Sequence, residues 1–154
     1  MLPHRLLISP EFNVALFTFL LHYPWEFLQV PFYEQMPYLG HWEAIIFCTR
    51  ATFGDVLISL GAFWAAALIF RNRNWIRSPN GAVLVVFIAV GLAVTVVLEW
   101  HATTVAERWQ YSDAMPTLPL LGTGLSPVLQ WIILPLLTVW LARRQILGQE
   151  KLAG

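Results

Sequence analysis

The chain has 154 residues, of which 58% are hydrophobic and 12% are charged, whereas ordinary soluble domains have roughly 25% charged residues. This composition excludes a typical soluble domain and predicts an integral membrane protein, whose first partner is the lipid bilayer. The formal net charge is zero, so the sequence gives no reason to expect a nucleic acid as a partner.

Four apolar stretches follow one another along the chain, each close to or above the roughly 20 residues that cross a bilayer as an α-helix. They predict transmembrane helices at about 12–30, 42–70, 81–101 and 125–143. The predicted fold is therefore all-α, a single transmembrane domain over residues 1–154 built as an integral membrane four-helix bundle. The first stretch lacks the features of a cleavable signal peptide, so we expect it to stay as an anchor.

Arginine residues are concentrated at one end of the predicted bundle. Arg71, Arg73 and Arg77 lie between the second and third helices, and Arg143 and Arg144 follow the fourth helix. Basic residues next to membrane helices are retained on the cytoplasmic side. The sequence therefore predicts that both termini are cytoplasmic and that the other end of the bundle faces outward.

Each predicted helix has one polar stripe and is otherwise apolar. Residues three or four positions apart lie on one face of a helix, and in a membrane bundle the polar face points inward. In chain order, the stripes comprise Thr18, His22, Glu26, Gln29 and Tyr33; Cys48, Thr52, Asp55 and Ser59; Thr95, Glu99 and Thr103; and Ser126, Gln130 and Thr138.

Three carboxylates lie on these stripes, Glu26, Asp55 and Glu99, and Arg50 is one to two turns beyond Asp55 toward the outer end. A charged side chain near the bilayer centre costs about 2.5–3.5 kcal/mol on insertion scales, so we expect these groups to face one another. Two interpretations are open. Arg50 forms a buried ion pair that fixes the helix packing, or the three acids form an outward-facing site in which they are the candidate catalytic residues.

Side chains near the acids supply candidate ligand-binding groups. Three of them come from "ERWQYSDAMPTLPLLGTGLSPVLQW", residues 107–131, whose Pro and Gly steps interrupt regular structure. We expect its first part to be either a lid or an aromatic anchor at the level of the lipid headgroups. The candidate ligand-binding residues are His22, Gln29, Arg50, Trp109, Tyr111 and Gln130.

Imidazole and carboxylate groups also allow a metal site, because this ligand set suits zinc or non-haem iron. His22, Glu26 and His101 are the candidate ligands. His22 and Glu26 lie on the first predicted helix and His101 at the end of the third, and the sequence has no closely spaced motif such as His-Glu-x-x-His. Nothing in the sequence identifies a cofactor or a substrate.

The segments "PWEFLQVPFY", "CTRATFGD", "LEW" and "RWQYSDAMPTLPLLGTGLSPVLQW", in this order, resemble a widespread group of uncharacterised small four-helix bacterial inner-membrane proteins. The resemblance covers most of the chain and implies a multi-pass protein of the bacterial inner (plasma) membrane, but no activity. The short motif "WEF" is also similar to integral-membrane terpene cyclases, whose intramembrane acids protonate an alkene or epoxide. That similarity implies an acid role for Glu26.

Three classes of function therefore stay open. The first is a membrane protein whose outward-facing acidic site binds a small or lipophilic ligand, with acid catalysis as a further step. The second is a non-catalytic accessory subunit that docks on a larger membrane complex. The third, metal-ion binding or cation transport, is the weakest, because the cytoplasmic halves of the third and fourth predicted helices have almost no polar residues.

Overall fold

The computed structural model describes residues 4–119 and 122–153, and within these ranges the secondary structure is helical, with no strand. Helices α2 to α5 pack as an antiparallel bundle in which α2 contacts α3 and α5, and α4 contacts the same two helices. The helices are α1 (His4–Leu7), α2 (Pro10–Gln29), α3 (His41–Ile69), α4 (Gly81–Trp100) and α5 (Leu125–Ala153). A π-helical turn, His101–Val105, extends α4.

Three of these helices are long and apolar enough to cross a membrane: α3, α4 with its π-helical turn, and α5. The chain is therefore helical with several candidate membrane spans, as its composition predicts. Helix α2 is not among the three, because polar residues lower its hydropathy. Its buried face includes Asn13, Thr18, His22, Glu26 and Gln29.

Side-chain caps explain where the helices begin. The Ser9 hydroxyl accepts a hydrogen bond from the backbone N–H of Phe12, and Asn80 Oδ1 accepts one from Val83 N at 2.9 Å. Each cap satisfies a backbone donor that the first turn leaves unpaired. The observed bounds of α2, α3 and α4 agree with the predicted helices to within two residues.

Helix α5 continues to Ala153, ten residues beyond its predicted end at 143. Ile146 in this extension is fully buried, and Glu150 Oε1 accepts a hydrogen bond from Arg77 Nε at 2.9 Å. The prediction ended too early because it followed only the apolar stretch, whereas the last turns are held by packing and an ion pair with the connection before α4.

Apolar side chains form two clusters at opposite ends of the bundle. One cluster, at the end that carries the 71–80 connection, joins all four long helices and includes Val14, Phe63, Trp75, Phe87 and Ile146. The other contains Tyr33, Met36, Cys48 and Met115. The buried polar residues of α2 from Thr18 to Gln29 lie between these clusters and form a polar layer. The first cluster separates this layer from the end of the bundle that carries the 71–80 connection.

The second cluster belongs to a mouth built from two connections, residues 30–40 and the mouth loop, residues 106–119. Backbone hydrogen bonds join them, from Ser112 N to Phe32 O at 2.9 Å and from Glu34 N to Gln110 O at 3.0 Å. Tyr33 and Tyr111 pair across this contact as an isolated antiparallel bridge. The aromatic segment expected to be a lid or an anchor is therefore fixed to the end of α2.

Candidate functional site

A cavity of about 470 Å³ lies in the polar layer, next to the mouth. Its volume falls within the roughly 300–1,000 Å³ of typical small-molecule sites. All four long helices and the mouth loop contribute to its wall. The residues predicted from the sequence that line it are Glu26, Gln29, Arg50, Asp55, Glu99, Trp109 and Gln130.

The amide of Gln130 joins two of the three acids. Its Nε2 atom lies 3.1 Å from Glu26 Oε1 and 2.9 Å from Asp55 Oδ2. The same nitrogen is 2.9 Å from His22 Nδ1, which in turn is 3.0 Å from Asp55 Oδ2. Gln130 is 2% exposed and His22 is 0% exposed, so this network is shielded by the protein.

The number of hydrogens restricts how the network is arranged. An amide nitrogen carries two N–H groups, and a neutral imidazole carries one. Both amide hydrogens of Gln130 are used if they go to Glu26 and Asp55 while His22 Nδ1–H donates to Asp55. His22 Nε2 is then an acceptor without a hydrogen-bond partner among the described residues. In this arrangement His22 is hydrogen-bonded to Asp55 directly beside Glu26.

The third acid, Glu99, has a separate set of donors. The hydroxyl of Tyr111 and the indole N–H of Trp109 both donate to Glu99 Oε2, the indole at 3.4 Å. Burial, followed by the charge of nearby Glu99, raises the pKa of Tyr111 above its usual value, so the phenol keeps the proton that it donates. The mouth loop thus holds the third acid of the cavity.

Arg50 lines the cavity but does not form the predicted ion pair. It is exposed, and the ion pairs found in the described part of the chain do not include it. It lies five positions before Asp55 on α3, about 7.5 Å nearer the mouth at 1.5 Å per helical residue. The sequence places both residues on one helix but does not show that Gln130 and His22 are the partners of the acid.

Arg108 is a site residue that the sequence analysis missed. Its side chain lines the cavity and lies over the ring of Trp109, with the guanidinium carbon 5.3 Å from the ring centroid. The sequence signal for it is its position directly before Trp109, a candidate ligand-binding residue. Arginine stacks on aromatic faces more readily than lysine.

Small residues on α3 were also missed as part of the site. Ala51 and Gly54 line the cavity beside Asp55. A Cβ atom added to Gly54 would have no atom outside its own helix within 4 Å, so this part of α3 borders open space. Ala51 lies four positions before Asp55, and Gly54 lies four positions after Arg50, so each shares a helix face with one of these residues. This spacing is the signal that could have identified them.

The predicted metal ligands are not brought together. His22 contacts Asp55, and Glu26 contacts Gln130. His101 is exposed in the π-helical turn and does not line the cavity. Over residues 4–119 and 122–153, no group of three or more His, Cys, Asp or Glu side chains is arranged to hold a metal ion.

Comparison of the chain with protein-family models, with curated proteins and with solved structures gives no match. Its function is therefore inferred from the cavity and from the chemistry of the groups that line it.

Proposed function

We propose that the protein is a four-span membrane protein whose acidic cavity binds a small lipophilic ligand and transfers a proton to or from it. The observation that carries this proposal is the network of His22, Asp55, Gln130 and Glu26 at the wall of a ligand-sized cavity. Buried ionisable groups in membrane helices generally serve binding or proton transfer, because their burial is otherwise costly.

The proposed topology makes α2 the fourth span and places both termini in the cytoplasm of a bacterial cell, with the protein in its inner membrane. The burial of the polar face of α2 supports this, since its remaining surface is apolar and can face lipid. The arginines of the 71–80 connection and the end of α5 support the orientation. The mouth and cavity then face outward.

Reporter fusions test this topology. Fusions after Asn80 and after Gly154 are expected to report a cytoplasmic location, and a fusion after Ser112 an external one, because basic residues flank only the first two sites densely. The measurement is the activity of a reporter that works on one side of the membrane only. The opposite pattern would place the cavity mouth on the cytoplasmic side and reject the proposed orientation.

The cavity combines the two environments that acid or base chemistry on a lipophilic molecule requires. Phe47, Ile58 and Leu98 give an apolar wall for a hydrocarbon portion, and the acids face the same space. A general acid or base must lie within hydrogen-bond reach of the reacting group and must recover its proton afterwards. Asp55 lines the cavity, and His22 Nδ1 lies at hydrogen-bond distance from it. A His22 protonated on both nitrogens would return its Nδ1 proton to Asp55 and remain a neutral imidazole.

Amide substitutions separate the chemistry from the fold. Glu26→Gln, Asp55→Asn and Glu99→Gln keep the side-chain volume and most hydrogen bonds, but they remove the titratable proton. We expect folding in detergent to survive, while Asp55→Asn and Glu26→Gln lower turnover by about 10²-fold or more, the usual contribution of a general acid or base.

The measurement is mass spectrometry of a bacterial membrane-lipid extract incubated with purified wild-type protein and with each variant, beside their thermal unfolding curves. Glu34→Gln is the matched control, because Glu34 is exposed and lies outside the cavity wall. If wild type changes no component of the extract, or if all three amide variants act as wild type does, acid chemistry is rejected. A non-catalytic accessory subunit of a larger membrane complex is then the better account.

A further inference from the structure

Two cationic side chains at the cavity have no anionic partner among the residues that the structure describes. Arg50 and Arg108 are both exposed and both line the cavity. Neither takes part in an ion pair with any residue that the structure describes, and neither guanidinium donates a hydrogen bond to one. Each guanidinium carries five N–H donors in a planar fork that matches a phosphate or a carboxylate.

Among the described residues, the acids of the same cavity form no ion pair with these arginines and accept hydrogen bonds from other side chains. Gln130 contacts Glu26 and Asp55, and Tyr111 donates to Glu99. The arginines and the acidic network therefore lie at different depths in the cavity. Arg50 lies about 7.5 Å nearer the mouth than Asp55, by the rise of an α-helix, so a bound anion would sit above the acidic network.

An open apolar groove lies on the surface of α4, next to the cavity. It has a volume of about 270 Å³ and is lined by Ala93, Val94, Val97 and Leu98. Leu98 is 51% exposed and borders both the groove and the cavity. From Leu98 the groove runs toward the middle of α4, which is the direction of an acyl tail when its headgroup lies at the mouth.

We propose that the ligand is an anionic lipid, with a phosphate or carboxylate headgroup held by Arg50 and Arg108 and an acyl tail in the groove beyond Leu98. This inference rests on the proposed function and names the ligand class of the same cavity. The charge of the two arginines supplies the complementarity to the headgroup. The groove supplies apolar contact that a free anion could not use.

Binding of defined lipids to the purified full chain in neutral detergent micelles tests the proposal. The probes are dioctanoyl phosphatidic acid, dioctanoyl phosphatidylcholine and inorganic phosphate, followed by tryptophan fluorescence and by the midpoint of thermal unfolding. We expect saturable binding and a raised midpoint with phosphatidic acid. The zwitterionic lipid and free phosphate are each expected to bind about tenfold more weakly or worse, because one lacks the net charge and the other lacks the tail.

Variants locate the binding. Arg50→Gln and Arg108→Gln are each expected to weaken phosphatidic acid about tenfold, as loss of a charged hydrogen-bond donor does. Arg71→Gln is the matched control, since Arg71 is an exposed arginine in the 71–80 connection. Gly54→Leu projects a side chain into open cavity space and should abolish binding, whereas Gly61→Leu, on an equally open position of α3 outside the cavity, should not.

Each opposite result rejects a specific part of the proposal. If Gly54→Leu blocks binding but both arginine variants bind as wild type does, the cavity is a ligand site and the anionic headgroup is wrong. Equal affinity for both lipids also rejects the headgroup, and tight binding of inorganic phosphate rejects the tail. If Gly54→Leu has no effect, the lipid binds elsewhere, while the amide variants still test proton transfer separately.

Discussion

Replacing Gly91 with alanine is expected to destabilise the bundle strongly. Gly91 on α4 is buried, and a Cβ atom there would lie 2.1 Å from Trp131 Cζ3 and 2.3 Å from Trp131 Cε3. Trp131 is 0% exposed, so its rigid ring has no free space to enter. Overpacking of a well-packed core costs about 1–3 kcal/mol, occasionally more. The measurement is the free energy of unfolding in mixed micelles, read from Trp fluorescence and circular dichroism.

Two comparisons show whether the clash is the cause. Gly61→Ala is the control, because an added Cβ there meets no atom within 4 Å, and the better helix propensity of alanine should leave stability unchanged or slightly raised. In a Trp131→Leu background, Gly91→Ala should cost less than half of its effect in wild type. An equal cost in both backgrounds would show that contact with Trp131 is not responsible.

Gln130→Leu is expected to damage both stability and function. The substitution keeps an apolar volume at a position that is 2% exposed, but it removes the N–H groups that face Glu26 and Asp55. A buried polar group that loses its partner costs about 1–3 kcal/mol, and more when it is charged. We expect a lower unfolding free energy and loss of the turnover assigned to Asp55, measured on the same purified sample.

Thr52→Val is the matched control for this prediction. Thr52 is fully buried in the same bundle, but its hydroxyl donates only to the backbone carbonyl of Cys48 one turn earlier. Valine has nearly the same shape, so the expected loss is about 0.5–1.5 kcal/mol, the net value of one hydrogen bond. If Gln130→Leu were no less stable than Thr52→Val, Gln130 would not be the shared donor of two acids.

The main features of the fold follow from short-range patterns in the sequence. Apolar length predicts α3 and α4 closely, and the caps at Ser9 and Asn80 define where two of the helices begin. The last turns of α5 could not be predicted in this way. They depend on the packing of Ile146 and on the pairing of Glu150 with Arg77, which lies 73 positions away along the chain.

The sequence predicts many of the residues that line the cavity, but not which of them contact one another. Helical periodicity predicts Glu26, Asp55 and Gln130 on inward faces from spacing within each helix, and all three line the cavity. Which groups touch depends on the rotation and axial offset of one helix against another. Those are set by long-range contacts, so the sequence did not show that Arg50 would be unpaired or that Arg108 would reach the cavity.

In the proposed four-span topology, the polar face of α2 affects how the protein enters the membrane. This helix precedes α3, α4 and α5 in the chain, and Gln130, the partner of Glu26, comes 104 positions later. Alone in lipid, an ionised Glu26 would cost about 2.5–3.5 kcal/mol. During translation α2 would therefore stay beside the translocon, or lie at the bilayer surface, until α5 arrives. The contact between Glu26 and Gln130 in the cavity wall would thus also mark the point at which the four helices are fully assembled.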